Sequence, residues 1–305
     1  MKQLRANLLL LLTAIIWGAA FVAQSVSMDY IGPFTFLFSR SILGGAVLLP
    51  LIAVLDRRKK ARQTPERDTN ARKNLLIGGL CCGAALFAAS SFQQFGMKDT
   101  TAGKSGFITA MYVVLVPVFG LFFGRKPARK TWGAVLAALA GMYLLCLYGT
   151  GLEGLNRGDG LEMVCALGFT AQIMLVDHFA PKVDGVKLSC IQFFVCGVLA
   201  GIGMLLFETP DWAGIRAAAV PILYAGILSS GVGYTLQIVA QKDTQPVVAS
   251  LLMSLESVFS LIFSWILLRE AMSAVELLGC TLMFAAIIWV QLPEKKKAAE
   301  PIGEQ

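Results

Sequence analysis

The chain has 305 residues, of which 56% are hydrophobic and only 15% charged, and its mean hydropathy is +0.70. Soluble domains carry about 25% charged residues, so a soluble globular fold is excluded and a polytopic membrane protein is expected. The net charge of +7 does not point to nucleic acid, because the excess falls in short segments between long apolar runs, where basic residues set membrane orientation.

The charges cluster and leave windows of about 20 residues nearly free of them, the length a helix needs to cross the hydrocarbon core. These runs are apolar all round and do not alternate as barrel strands would, which predicts an all-α membrane protein. Ten spans are predicted, at roughly 6–24, 31–55, 74–97, 103–123, 131–149, 159–178, 188–207, 217–239, 245–267 and 273–292. The first follows Lys2 and Arg5 as in a signal peptide, but it is long and lacks a small-x-small cleavage site, so a retained span is expected. Pro33, Pro221 and Pro246 sit in first turns, where a missing N–H costs little. Pro117 falls inside span 4 and is expected to kink it. Residues 56–73 read as a basic linker, and the tail from Pro293 as a solvated end.

Twenty Lys and Arg fall on the N-terminal side of the membrane against five on the other, with Arg40 inside a span. That bias places both termini in the cytoplasm of a cell whose plasma membrane holds the chain. Gln93-Gln94-Phe95-Gly96-Met97-Lys98-Asp99-Thr100 returns 144 positions later as Gln237-Ile238-Val239-Ala240-Gln241-Lys242-Asp243-Thr244. Phe21-Val22-Ala23-Gln24 returns as Phe169-Thr170-Ala171-Gln172 at an offset of 148. Such repeats predict two five-helix halves, 1–150 and 151–292, followed by a tail, 293–305. Five is odd, so the second half is expected upside down, and the loop after span 4 is basic where its counterpart after span 9 is neutral. Inverted repeats of this kind are built around a midplane site in transporters.

Charges inside a membrane are costly and therefore informative. Arg40 and Glu256 lie nine and ten residues into spans 2 and 9, a depth of about 14–15 Å at the helical rise. They are candidates for binding a charged substrate or, for Glu256, carrying a coupling proton; a structural pair, or Arg40 snorkelling outward, is the alternative. Uncharged polar residues form stripes. Trp17, Phe21 and Gln24 share a face of span 1, and Ser230, Tyr234, Gln237 and Gln241 a face of span 8. Ser90 and Gln93 pair on span 3, and Phe169 and Gln172 on span 6. Aromatic walls with a few amides suit a cavity for a small amphipathic molecule, while interhelical hydrogen bonding uses the same residues. With Tyr112 of span 4, the predicted lining is Trp17, Phe21, Gln24, Gln93, Tyr112, Gln172, Tyr234 and Gln237.

Other features read as packing. Gly79/Gly83, Gly120/Gly124, Gly197/Gly201, Ser250/Ser254 and Ser260/Ser264 have the spacing of close helix contacts. The seven cysteines lie almost entirely inside apolar runs and read as reduced, buried and small. His178, beside Asp177, reads as a boundary residue. No phosphate-binding glycine loop is present, and a single His cannot build a multi-His metal centre. No cofactor or metal is therefore expected.

Trp17-Gly18-Ala19-Ala20-Phe21, Arg40, Leu115-Val116-Pro117-Val118-Phe119, Leu255-Glu256-Ser257-Val258-Phe259, Leu267-Leu268-Arg269-Glu270 and Gly279, in this order within a duplicated ten-span frame, give the chain its resemblance to a known family. It resembles the EamA-type family of the drug/metabolite transporter superfamily over residues 6–292. The resemblance implies a ten-helix inverted repeat whose cavity is lined by spans 1, 3, 4, 6, 8 and 9, with spans 5 and 10 peripheral. It also implies a secondary carrier for amino acids and other small metabolites, often an exporter. The chain departs from the family at Ser257, where the pattern has proline, and at Arg125-Lys126, where an acidic residue is common. The expected function is thus a metabolite exporter whose partners are a small-molecule substrate and the bilayer, with a homodimer left open. An integral-membrane enzyme acting on lipid and a non-transporting subunit are the alternatives.

Overall fold

The computed structural model describes residues 2–61, 69–125, 127–146, 148, 156–269 and 273–291. Part of the basic linker, Lys126, Glu270 and the tail from Pro293 lie outside the described residues. Among the described residues the chain is helical throughout, with no strand. The helices are α1 Lys2–Ser27, α2 Pro33–Ala61, α3 Thr69–Gly96, α4 Ala102–Thr109, α5 Tyr112–Phe122, α6 Arg129–Cys146 and α7 Arg157–Phe179. They continue as α8 Gly185–Phe207, α9 Trp212–Ala217, α10 Ala219–Leu223, α11 Thr235–Gln241, α12 Pro246–Met253, α13 Glu256–Phe263 and α14 Ala274–Gln291. A π-helical stretch, Tyr224–Tyr234, joins α10 to α11, and a second, Ser264–Leu268, extends α13.

Eight stretches are long and apolar enough to cross a membrane, and they fall on predicted spans 1–4 and 6–9. Predicted spans 5 and 10 fall on α6 and α14, 18-residue helices that pack on each other and do not join the eight. Large apolar side chains such as Leu80, Leu136, Val198, Leu205 and Leu277 face outward, as lipid contact requires. The core runs along α1, which packs on α13, on the π stretch and on α11; around it α3 lies on α7 and α8, and α2 on α8.

Helix ends follow local chemistry. Asn156 and Asp159 form a reciprocal capping box at the start of α7. Asp184 caps α8, and Asp211 caps α9, where the backbone N–H groups of Ala213 and Gly214 hold its carboxyl below the usual range. The N-terminus of α2 is capped from a distance: Glu208 accepts from the N–H groups of Phe34 and Thr35 at 2.8 Å and from the Thr35 hydroxyl at 2.6 Å.

Two helices break midway. The first break falls at Ala110-Met111 between α4 and α5, the second at Ser254-Leu255 between α12 and α13. Pro117 was expected to kink its span, but α5 continues through it and the break lies upstream. There the bonding register tightens, with Met111, Val113 and Val114 each donating to the carbonyl three residues back. The second break has no proline. Its serines bond to the same backbone carbonyls: Ser254 Oγ donates to Leu251 O and Ser257 Oγ to Ser254 O. Such hydroxyls compete with the helical ladder and bend it, so Ser257 sits at a broken helix without the family's proline.

The small-residue pairs divide. Gly79 and Gly83 admit Ile191 and Val195 of α8, and Gly197 and Gly201 admit Ile42 and Phe38 of α2. Gly120 and Gly124 are not a packing pair: Gly124 has φ +73° with nothing near it, and Arg125 N–H returns to Gly120 O at 2.9 Å. That is a Schellman stop for α5. Cys81 is exposed, against the expectation of burial. Gly18 is a close approach, where a Cβ would sit 2.3 Å from Phe259 Cβ and 2.8 Å from the backbone nitrogen of Ser260. Gly18→Val is expected to destabilise the protein by about 1–3 kcal/mol, as overpacking does. Gly160, with nothing within 4 Å, is the control: Gly160→Ala should hold or raise the thermal unfolding midpoint in detergent.

Candidate functional site

Three features aim polar groups at the centre of the bundle. The break before α5 places Tyr112, and the break before α13 places Glu256, each as the first residue of its helix. The two positions are 144 residues apart, the offset of the repeated Gln-x4-Lys-Asp-Thr stretch. They meet: the Tyr112 hydroxyl donates to Glu256 Oε1 at 2.8 Å. The π stretch supplies the third feature. Its widened turns bring Ser229 and Tyr234 to the same space, a common role for π segments.

The space is a cavity lined by Trp17, Ala20, Phe21 and Gln24 of α1, Arg40 of α2, Gln93 of α3, Thr109 of α4 and Tyr112 of α5. From later in the chain come Phe169, Gln172 and Ile173 of α7, Ser229 and Tyr234 of the π stretch, Gln237 of α11 and Glu256 of α13. All ten sequence-predicted site residues line it. Residues from the predicted spans 1, 3, 4, 6, 8 and 9 are joined by span 2, through Arg40. Gln241, on the same predicted stripe as Gln237, is instead bonded to Ile173 O at 3.2 Å and stays outside the lining. Ser90 and Ser230 are buried but line nothing here.

Every lining residue is buried, so the cavity lies inside the bundle. Its volume, as room for the centre of a water molecule, is about 20 Å3. One water needs about 10–15 Å3 on that measure, so anything of metabolite size requires the walls to part. The walls are aromatic: Trp17 and Tyr234 have ring centroids 4.5 Å apart, and Phe193 meets Tyr234 edge-on at 5.4 Å. Trp17 Nε1 donates to Ser229 O at 3.4 Å.

Arg40 is 3% exposed and donates to Gln24 Oε1 at 2.9 Å, with its guanidinium 5.6 Å from the Phe36 ring centroid. Among the described residues no carboxylate lies within salt-bridge distance of it. Placing an arginine mid-membrane costs about 2.5–3.5 kcal/mol. A hydrogen bond from a charged donor returns about 1.5–3 kcal/mol, and a desolvated cation–π contact about 2. The terms are comparable, so Arg40 can be held in the bundle as a cation in the cavity wall. The amides form a second chain: Gln237 Nε2 donates to Gln172 Oε1 at 3.2 Å, and Gln172 Nε2 contacts Gln192 Oε1 at 3.5 Å. Among the described residues Gln237 Oε1 has no hydrogen-bond partner.

The sequence reading passed over Glu162 and Asp159. Both are buried at the start of α7, where Glu162 accepts from Ser105 at 2.5 Å and from Thr109 at 3.0 Å. Asp159 pairs with Lys104 at 2.7 Å and accepts from Thr100 at 3.0 Å. The signal was available, since Glu162 lies inside predicted span 6, but an acid that near a span end reads as a headgroup contact. At the other end of α7, Asp177 pairs with Arg125. Ion pairs thus tie the α4–α5 segment to both ends of α7, and the Arg125 that departs from the family pattern is the cationic partner in one of them.

Three comparisons with known proteins place this architecture. The profile of the EamA-like transporter family matches residues 4–147 and 156–292. An uncharacterised transporter of Archaeoglobus fulgidus is 30% identical over 95% of this chain and 87% of its own. A chloroplastic WAT1-related protein of Arabidopsis thaliana is 25% identical over 91% of this chain and 67% of its own. The uncharacterised transporter YoaV of Bacillus subtilis is 22% identical over 90% of this chain and 92% of its own. A protein of known crystal structure shares the fold, with a TM-score of 0.73 at 19% identity over 94% of this chain and 96% of that one.

The Tyr112–Glu256 bond makes a direct test of the site's structure. Tyr112→Phe removes the donor from a buried carboxyl, and an unsatisfied buried group costs about 1–3 kcal/mol. Glu256→Gln keeps an acceptor for the hydroxyl and should cost less. Thermal unfolding of the two variants in detergent should rank them in that order.

Proposed function

We propose that this chain, which belongs to the EamA-like transporter family, is a secondary carrier that exports amino-acid-sized metabolites by alternating access around the Arg40–Glu256 cavity. The chain is a multi-pass membrane protein, and its family and relatives point to a transporter rather than an enzyme. The observation that carries the proposal is the buried cavity, with a guanidinium that among the described residues no carboxylate neutralises and a carboxyl bonded across to Tyr112. Arg40 would hold a carboxylate of the substrate and Glu256 an ammonium group, with Trp17, Phe21, Phe169 and Tyr234 enclosing the side chain. A neutral lipid substrate would use neither charge.

The same reading holds that ten helices form two inverted five-helix halves, with both termini cytoplasmic in the plasma membrane. Its support is the recurrence of position: α4 and α12 are each eight residues long, each is followed by a two-residue break, and the breaks are 144 residues apart. Asp99 and Asp243 close the same kind of turn, each N–H returning three residues, to Gly96 O and Ala240 O. The family match also falls into two segments. In such a frame α7 rocks against the α4–α5 segment, releasing Lys104–Asp159 when one face opens and Arg125–Asp177 when the other does.

Two measurements bear on this. Exchange of a labelled amino-acid mixture across proteoliposomes is expected for the wild type. Arg40→Gln should raise KM by about tenfold or more, the factor that 1.4 kcal/mol represents; no exchange of any amino acid would sink the carrier reading. Single cysteines at positions 98 and 242 should label from opposite sides of the membrane, and labelling from one side would overturn the inverted repeat.

A further inference from the structure

Glu162 lies outside the cavity but is wired to it. It is 0% exposed, two helical turns before Phe169 on α7. Gln93 Nε2, in the cavity wall, donates to Thr109 Oγ1 at 3.2 Å; Thr109 Oγ1, also in the wall, donates to Glu162 Oε2 at 3.0 Å. Ser105 donates to Glu162 Oε1 at 2.5 Å. The charged and titratable groups around it are Asp159 and Cys165 on its own helix, Lys104 on α4 and Asp99 in the turn that closes α3. Lys104 is taken up by Asp159 at 2.7 Å, and among the described residues no cation lies within salt-bridge distance of Glu162. On its remaining side Gly96 packs so closely that a Cβ there would lie 2.9 Å from Glu162 Cγ.

We propose that Glu162 is the site that binds the coupling proton of this carrier, and that the Thr109 hydroxyl reports its protonation to the substrate cavity. The inference rests on the carrier reading above and adds the driving ion to it. An ionised carboxyl removed from water without a counter-cation costs several kcal/mol, and a proton removes that cost without needing more room. The donors and acceptors then balance in both states. When Glu162 is ionised, both hydroxyls donate to it. When a proton binds Oε2, that oxygen becomes the donor and Thr109 Oγ1 the acceptor, because a hydroxyl oxygen has two lone pairs. Thr109 goes on accepting from Gln93, and its own hydrogen must turn away, toward Cys165 Sγ at 3.9 Å or into the cavity. The proton therefore changes the polarity of one cavity-wall hydroxyl without moving a helix. One turn earlier, Asp159 is bonded to Lys104, whose side chain is 20% exposed.

Proteoliposomes with wild type, Glu162→Gln or Glu162→Asp test this with a 14C-labelled amino-acid mixture as probe. At equal pH all three are expected to exchange label. With the lumen about one pH unit more acidic than the bath, wild type should accumulate label up to about tenfold for one proton per substrate, while Glu162→Gln only equilibrates it. Wild type that exchanges nothing at equal pH overturns the carrier reading itself. Wild type that exchanges but does not accumulate, or Glu162→Gln that accumulates as wild type does, overturns the role of Glu162 and leaves the carrier reading standing. Infrared titration supplies a readout that does not depend on Glu162→Gln folding. In Glu256→Gln protein a buried carboxylic C=O band that disappears on alkalinisation is expected from Glu162, shifted by Thr109→Val; its absence overturns the proposal.

Discussion

Inside a bilayer a polar group must be satisfied by the protein, because hydrocarbon offers no partner. The hydrogen bond from Tyr112 to Glu256 is where that constraint shapes the molecule most. A carboxyl at the centre of the bundle requires a donor, and the donor arrives only because α4 and α5 break at Ala110-Met111 while α12 and α13 break at Ser254-Leu255. Each break turns the first residue of the following helix toward the centre. The bond joins the earlier half of the chain to the later one at the level where both are interrupted. The aromatic rings, the amide chain and Arg40 are arranged around that junction.

The same constraint explains how so many polar side chains can be buried in so apolar a protein. Many are steps of chains in which a donating group meets an accepting one. Gln93 leads through Thr109 to Glu162, Arg40 to Gln24, and Gln237 through Gln172 toward Gln192. The apolar contacts do a different job. Between membrane helices there is little hydrophobic drive, so association depends on close fit. The approaches of Gly18 to α13 and of Gly79 and Gly83 to α8 supply it. The regular packing of this frame is interrupted at the two helix breaks and at the Tyr224–Tyr234 stretch.

Ion pairs hold the ends of this frame. Lys104–Asp159 and Arg125–Asp177 tie the same two spans together at opposite ends of α7. Arg125 is 44% exposed in its pair, where an ion pair contributes about 0–1 kcal/mol, whereas Lys104 meets a buried carboxylate. Between them lie the groups that cannot be released to water cheaply.

The membrane class, the helical fold and the stripes on single helices were legible from the sequence, because composition and spacing along one helix decide them. Trp17, Phe21 and Gln24 share a face by the helical period alone, and so do Tyr234 and Gln237. Arg40 and Glu256 were legible because a charge deep in an apolar run has few explanations. What the letters could not show was which faces meet. Nothing in the spacing puts the hydroxyl of Tyr112 on Glu256, and no proline marks the break at Ser254-Leu255, where serine hydroxyls bond to the backbone in its place. Glu162 was missed because position within a span indicates depth along the chain, not burial among neighbours. Gly124, spaced like a packing residue, proved to be a helix stop, since a backbone dihedral is invisible in a residue count. Local periodicity is a property of the chain and can be read from it; the satisfaction of a buried polar group depends on a residue far along the chain, and only the tertiary structure decides which one that is.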